Sequence, residues 1–301
     1  MTSGESKQEP APPSPPDVPD NRPFAWQPFT PRGVAAFAQA TFGRLFIVEL
    51  IVALLAAAAV VWFLQTAWFP TVRESLRQLP EQGVLRNQEL SSPRNSIEPL
   101  AENRWLAFVV NLEGESGAAV RSDLLVEFRR NNFLVCSVFG CLVFNYPKNY
   151  TIDVNRPELE PWWGAWEPIL MGITIVGVVF GLFTAWFLLA TFYFVPVRLL
   201  AFFKDRELCL SGSWKLASAA LLPGALLLTA GIVAYGFGAL DLIHLLLVAV
   251  LHFVVGWVYL FSLFALPRAQ AAGPRLVNPF VAAPAEIKSE IKSEPENKTE
   301  P

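Results

Sequence analysis

Four long apolar segments limit this chain to one class of fold. They run over 45–69, 169–194, 216–237 and 242–266, and each is long enough to carry a helix across a bilayer, which takes about 20 mostly apolar residues. The charged residues lie almost entirely outside these runs, so the net charge of −3 says little about partners. With 53% hydrophobic and 16% charged residues, the 301-residue chain is too apolar for an ordinary soluble protein. It reads as an α-helical integral membrane protein with four transmembrane helices embedded in a lipid bilayer. No broad basic surface or nucleic-acid motif is present, so nucleic-acid partners are not expected.

The two ends differ sharply from the middle. Residues 1–31 hold nine prolines, including "EPAPPSPPDVPD", and predict a disordered, polyproline-II-like arm. Residues 267–301, with the repeated "EIKS", predict a solvated, disordered tail. Thr30-Pro31 offers an N-cap followed by proline at the first helical position. The stretch 32–44 then reads either as a short interfacial helix or as an early start of the first span. That span is too long for the core of a cleavable signal and is expected to remain as an anchor.

Lysine and arginine set the expected orientation. The segment 195–215 carries Arg198, Lys204, Arg206 and Lys215, whereas "GALD" between the third and fourth spans carries none. By the positive-inside rule the basic segment is expected to be cytoplasmic, as are both termini; the expected location is a plasma (bacterial inner) membrane. The ten Lys/Arg residues of 70–165 do not count against this, because long segments translocate largely regardless of charge.

The 70–165 segment would then be exported. "PTVRESLRQLP" predicts a short helical stalk ending at Pro80. "RWLAFVVNLEG" and "SDLLVEFRRNNFLVCSVFGCLVFNYP" read as strands with turns at "EGESG" and "RRNN", hence a small β-rich extracytoplasmic domain between helices 1 and 2. Phe133–Phe144 is uncharged, which suits a buried strand pair or a membrane-dipping segment, but it is too short to span. Cys136 and Cys141 flank "SVFG". They can bridge across a tight hairpin, but on one continuous strand their odd spacing puts them on opposite faces.

Candidate chemistry is sparse. Glu49 lies one turn inside the first span, Lys215 enters the third from the same side, and His244 and His252 lie in the fourth. Ionisable groups at membrane depth tend to face a bundle interior or a water path. Glu49 is expected to face the bundle and pair with Lys215 or a helix-terminal donor, or to snorkel to the interface. Gly177, Gly181 and Ala185 form a small-residue seam for helix packing, within the bundle or between two copies in a homo-oligomer. Pro223-Gly224 predicts a kink in the third span. The sequence shows no catalytic residues, no metal-ligand set and no cofactor motif, so a non-enzymatic role is expected.

The segments "VWFLQTAWFPTVRESLRQLPE", "GVLRNQELSSP … WLAFVVNLEGESG" and "SWKLASAALLPGALLLTAGI" follow one another in an order that resembles a bacterial family of uncharacterised polytopic membrane proteins related to the Yip-type bundles. The resemblance implies an N-terminal anchor, an exported β-containing insert and a C-terminal helix cluster. In the insert, Asn87-Gln88 and Asn111-Leu112 stand where it implies Asp-Gly and Asp-Thr turn pairs. The leading expectation is an exported domain that binds a membrane or envelope protein partner, an envelope component or a small ligand, on a bundle that anchors or transmits. The alternatives are a transporter component using Glu49, Lys215 and His252, and a Yip-like trafficking or assembly scaffold.

Overall fold

The computed structural model describes residues 27–93, 99–113, 121–206 and 208–266. The expected terminal arm (to residue 26) and tail, and most of "EGESG", lie outside these. The described chain is mostly helical, with a small β region inserted after the first long helix. Four helices, Phe42–Arg77, Arg156–Phe203, Leu210–Gly236 and Leu242–Ala265, are long and apolar enough to cross a membrane.

The chain enters through α1 (Pro31–Ala36), where the Thr30 hydroxyl accepts from Gly33 N–H at 3.0 Å and Pro31 opens the helix. This helix does not lie open on a surface. Val34 and Phe37 are fully buried, and α1 packs against α5 (Leu210–Ala219) and the 3₁₀ turn Phe261–Ala265. After a turn, Thr41 caps α2 (Phe42–Phe63). A π turn, Leu64–Trp68, and α3 (Phe69–Arg77) continue the same helix for 36 residues in all. At 1.5 Å per residue that is about 54 Å, well beyond a bilayer core of about 30 Å. The π turn lies just before Pro70, whose missing N–H removes one α-type hydrogen bond.

Helix α4 (Arg156–Phe203) runs 48 residues and contains Pro161, Pro168 and Pro196. The basic segment 195–215 is therefore mostly helical, since α4 fills its first part and α5 its last. Burial of Val197 and Ala201 in the bundle core holds the helix together past Pro196. The basic residues donate to backbone carbonyls outside regular helix: Arg198 to Leu208 O and Arg206 to Leu266 O. The third apolar segment breaks at Ala220–Leu221, and Pro223 occupies the first turn of α6 (Leu222–Gly236), where its lost donor is harmless. Helix α7 (Leu242–Leu260) begins at Asp241, whose carboxylate accepts from His244 N–H at 2.8 Å. Within the bundle α2 packs on both α4 and α6, α5 packs on α4, and α6 pairs with α7.

The β region has two sheets. The first orders β2 (Glu89–Ser91), β1 (Val84–Arg86) and β8 (Thr151–Asp153) side by side. The second runs β3 (Pro99–Glu102), β4 (Leu106–Val110), β5 (Leu124–Phe128), β6 (Asn132–Ser137) and β7 (Gly140–Asn145). Most neighbours are antiparallel, but β4 and β5 are parallel. Asn87 and Gln88, at φ 49° and 71°, form a two-residue hairpin turn that asks for left-handed backbone at both positions. Phe133–Phe144 folds as the antiparallel β6–β7 hairpin, so Cys136 and Cys141 are cross-strand partners and are joined by a disulfide.

Candidate functional site

An apolar cleft of about 280 Å³ lies between α3, the two sheets and the first turns of α4. Val72 and Leu76, four residues apart on one stripe of α3, supply its helical wall, and Leu79 just beyond the helix end extends it. The opposite flank of α3 is polar and tied to α4. Arg73 forms a two-pronged ion pair with Glu167, and Arg77 lies 3.7 Å from Glu160. Exposed pairs of this kind contribute only about 0–1 kcal/mol each, yet together they fix which stripe of α3 faces the sheets.

The sheets supply Leu85, Leu90, Phe108 and Phe128, together with Tyr146 just beyond β7. Strand alternation explains the choice: Phe108 and Val110 point into the cleft, while Val109 is buried on the other face. On that other side Glu127 is buried, accepting from Asn111 Nδ2 at 2.8 Å and from Arg129 Nε at 2.8 Å. Three hydroxyl-bearing residues, Ser75, Ser92 and Tyr146, line the cleft, and the first and last are turned to the backbone. Ser75 donates to Val72 O at 2.7 Å, and Tyr146 donates to Arg129 O at 2.9 Å. Burial pushes the Tyr146 phenol well above its ordinary range, so it remains a neutral donor at any physiological pH. This lining suits an apolar chain or ring far better than a polar substrate.

A second constellation joins the β region to the bundle. The β3–β4 turn reaches the turn between α6 and α7, where Arg104 donates to Gly238 O at 2.6 Å and Leu240 O at 2.8 Å. Trp105 Nε1 donates to Tyr235 O at 3.3 Å, and the Tyr235 hydroxyl donates to Asp123 Oδ2 at 2.7 Å. Asn103 donates to Ala67 O in the π turn. The two Arg104 bonds satisfy carbonyls of the turn between α6 and α7.

The residues singled out from the sequence do not converge on one site. Glu49 is 7% exposed and faces α5, where Ser218 Oγ donates to its carboxylate at 2.5 Å. Lys215, three residues earlier on the same face of α5, donates instead to Ala40 O at 2.6 Å and stands 5.2 Å over the Phe42 ring. His244 is exposed at the other end of the bundle, with Nδ1 2.7 Å from the Asp241 carboxylate. The backbone N–H and ring of His244 hold the Asp241 carboxyl below its usual range. His252 turns Nδ1 to Ala249 O on its own helix.

Ala185 is half-buried, but Gly177 and Gly181 face open space and pack on nothing among the described residues. The close approach is elsewhere. A Cβ on Gly224 would lie 2.3 Å from His252 O, and one on Gly231 would lie 2.8 Å from a Val248 methyl carbon. Gly224 thus serves as a contact between α6 and α7 more than as part of a kink. The sequence reading missed the cleft, the Arg104 turn and the Gly224–Gly231 seam. The seam had a legible signal, two glycines seven residues apart on one helix face. Among the described residues no group of three His, Cys, Asp or Glu side chains is placed to hold a metal ion. No family model, curated protein or solved structure matches this chain.

Proposed function

We propose that this chain is a non-enzymatic, four-span protein of a plasma (bacterial inner) membrane, with both termini cytoplasmic and the β region exported. The exported domain binds the apolar part of a small ligand or envelope component in the cleft, and the bundle anchors it. The observation that carries this reading is the cleft itself, whose walls are apolar and whose Ser75 and Tyr146 hydroxyls are already committed to backbone carbonyls. Its volume lies just under the roughly 300–1,000 Å³ of ordinary ligand pockets. That suits a single acyl chain or small ring system, with any polar head left at the mouth. The Arg104 and Asn103 bonds support a domain held firmly on its anchor.

The test uses the full-length protein in lipid nanodiscs with a photoactivatable diazirine fatty acid. Crosslinks are expected in peptides covering 72–79 and 106–110. Leu76→Trp, which fills the cleft, should cut those crosslinks about tenfold, equivalent to ~1.4 kcal/mol of lost affinity. Labelling of the exposed face of 169–194 should be unchanged. Cleft labelling that is absent, or indifferent to Leu76→Trp, sinks the proposal.

A further inference from the structure

The β6–β7 hairpin presents apolar side chains that nothing else among the described residues covers. From Asn131 to Tyr146 there is no charged residue. At the tip Val138 is 54% and Phe139 78% exposed, and Leu142 and Val143 on β7 are exposed as well. Edge strands of soluble domains usually carry a charge, a proline or a bulge that discourages association. Here β7 carries none of them, and the disulfide between Cys136 and Cys141 staples the hairpin just behind its tip.

The register shows where the tip lies. Leu106 is level with Leu124, Leu124 with Ser137, and Ser137 with Gly140. The Val138-Phe139 turn is therefore at the same end of the sheet as Arg104, Trp105 and Asp123, the residues bonded to the α6–α7 end of the bundle. The neighbouring Phe237, next to Gly238, is itself 74% exposed and marks the apolar rim of the bundle at that level. Neighbouring strands lie about 4.8 Å apart, so the tip is displaced sideways from β4 by roughly 10–14 Å. The exposure of Val138 and Phe139 shows that this displacement carries them clear of the helices.

We infer that the Val138-Phe139 tip inserts into the lipid beside the bundle, at the membrane surface next to the β region. It gives the domain a second foothold on the bilayer, independent of the Arg104 turn. The occupant of this surface is the interfacial zone of the bilayer, which takes aromatic and aliphatic side chains free of charge. The inference rests on the reading of the four long helices as bilayer spans.

The test is fluorescence quenching of the full-length protein in nanodiscs, in a Cys209→Ser background that removes the free thiol. Separate Phe139→Cys, Asn131→Cys and Val176→Cys variants carry an environment-sensitive dye. Quenchers are a lipid bearing a nitroxide high on its acyl chain and, separately, aqueous iodide. The label on Phe139→Cys should lose most of its emission to the lipid nitroxide and little to iodide. The label on Asn131→Cys, at the opposite end of the hairpin, should do the reverse. Strong iodide quenching at 139 puts the tip in water and overturns the inference. Shielding from both quenchers, the signature of β7 edge pairing or a protein partner, overturns it too. Val176→Cys, on the exposed middle of α4, reports the spanning reading by itself. If it escapes the lipid nitroxide, that reading fails, and the tip proposal fails with it.

Discussion

Adding one methyl group at Gly224 is expected to destabilise the bundle, while the same change at Gly177 or Gly181 leaves it unharmed. In Gly224→Ala the new Cβ meets the His252 carbonyl oxygen at 2.3 Å, well inside contact distance. The obstacle is backbone within a packed helix and cannot rotate away, so α6 and α7 must separate. Overpacking typically costs about 1–3 kcal/mol, and a fixed obstacle belongs at the upper end. For a chain of this size that is a fall of roughly 6–12 °C in midpoint. Gly177→Ala and Gly181→Ala enter open space and gain helix propensity, so they should be neutral or slightly stabilising. Thermal unfolding of the three purified variants in one detergent checks this. A midpoint for Gly224→Ala equal to that of Gly177→Ala would refute the α6–α7 seam.

Reversing the charge at Glu49 should be still more damaging. The carboxyl group is buried against α5, and its bonded neighbour is the Ser218 hydroxyl. Glu49→Gln keeps a carbonyl to accept that bond and should change stability by about 1 kcal/mol or less. Glu49→Lys places an ammonium where Ser218 and apolar side chains are waiting. An uncompensated buried charge costs about 3–5 kcal/mol, enough to prevent accumulation of folded protein. Adding Lys215→Glu should not rescue it, because the Lys215 ammonium is held by Ala40 O and is not paired with Glu49. The amount of monodisperse protein on size exclusion is the readout. Full recovery in the double reversal would show that the two groups do pair.

The four apolar helices and the small β region were legible because each rests on local composition and period. Which helix faces meet was not. "GVVFG" in α4 looks like a packing seam, yet what counts is the neighbour it meets, and for Gly177 and Gly181 the described residues supply none. Gly224 was read beside Pro223 as a kink, and its contact with His252, 28 residues away, is not visible in a local window. The same limit hid the parallel pairing of β4 with β5, since parallel neighbours leave no turn signal between them. The basic segment expected from 195 begins inside α4, which runs through Pro196 because tertiary burial of Val197 and Ala201 outweighs a local breaker. The cleft was illegible for another reason: its walls come from α3, α4 and both sheets, and no one stretch of sequence shows the shape they enclose.

The π turn in the first long helix has a geometric consequence. Phe63, Ala67, Thr71 and Ser75 are all buried, and they recur every four residues. In an unbroken α-helix three such steps drift about 120° around the axis, which would carry the last of them away from the face of the first. The turn at Leu64–Trp68 absorbs one extra residue, worth about 100°, and cancels most of that drift. The helix thus behaves as two rods with their phases matched by a one-residue spacer, keeping the stripe that faces the bundle in line with the stripe that faces the sheets. Losing a residue within 64–68 would leave the two stripes aligned. Losing one elsewhere in the helix would rotate one rod against the other and turn the wall of Val72 and Leu76 out of the cleft.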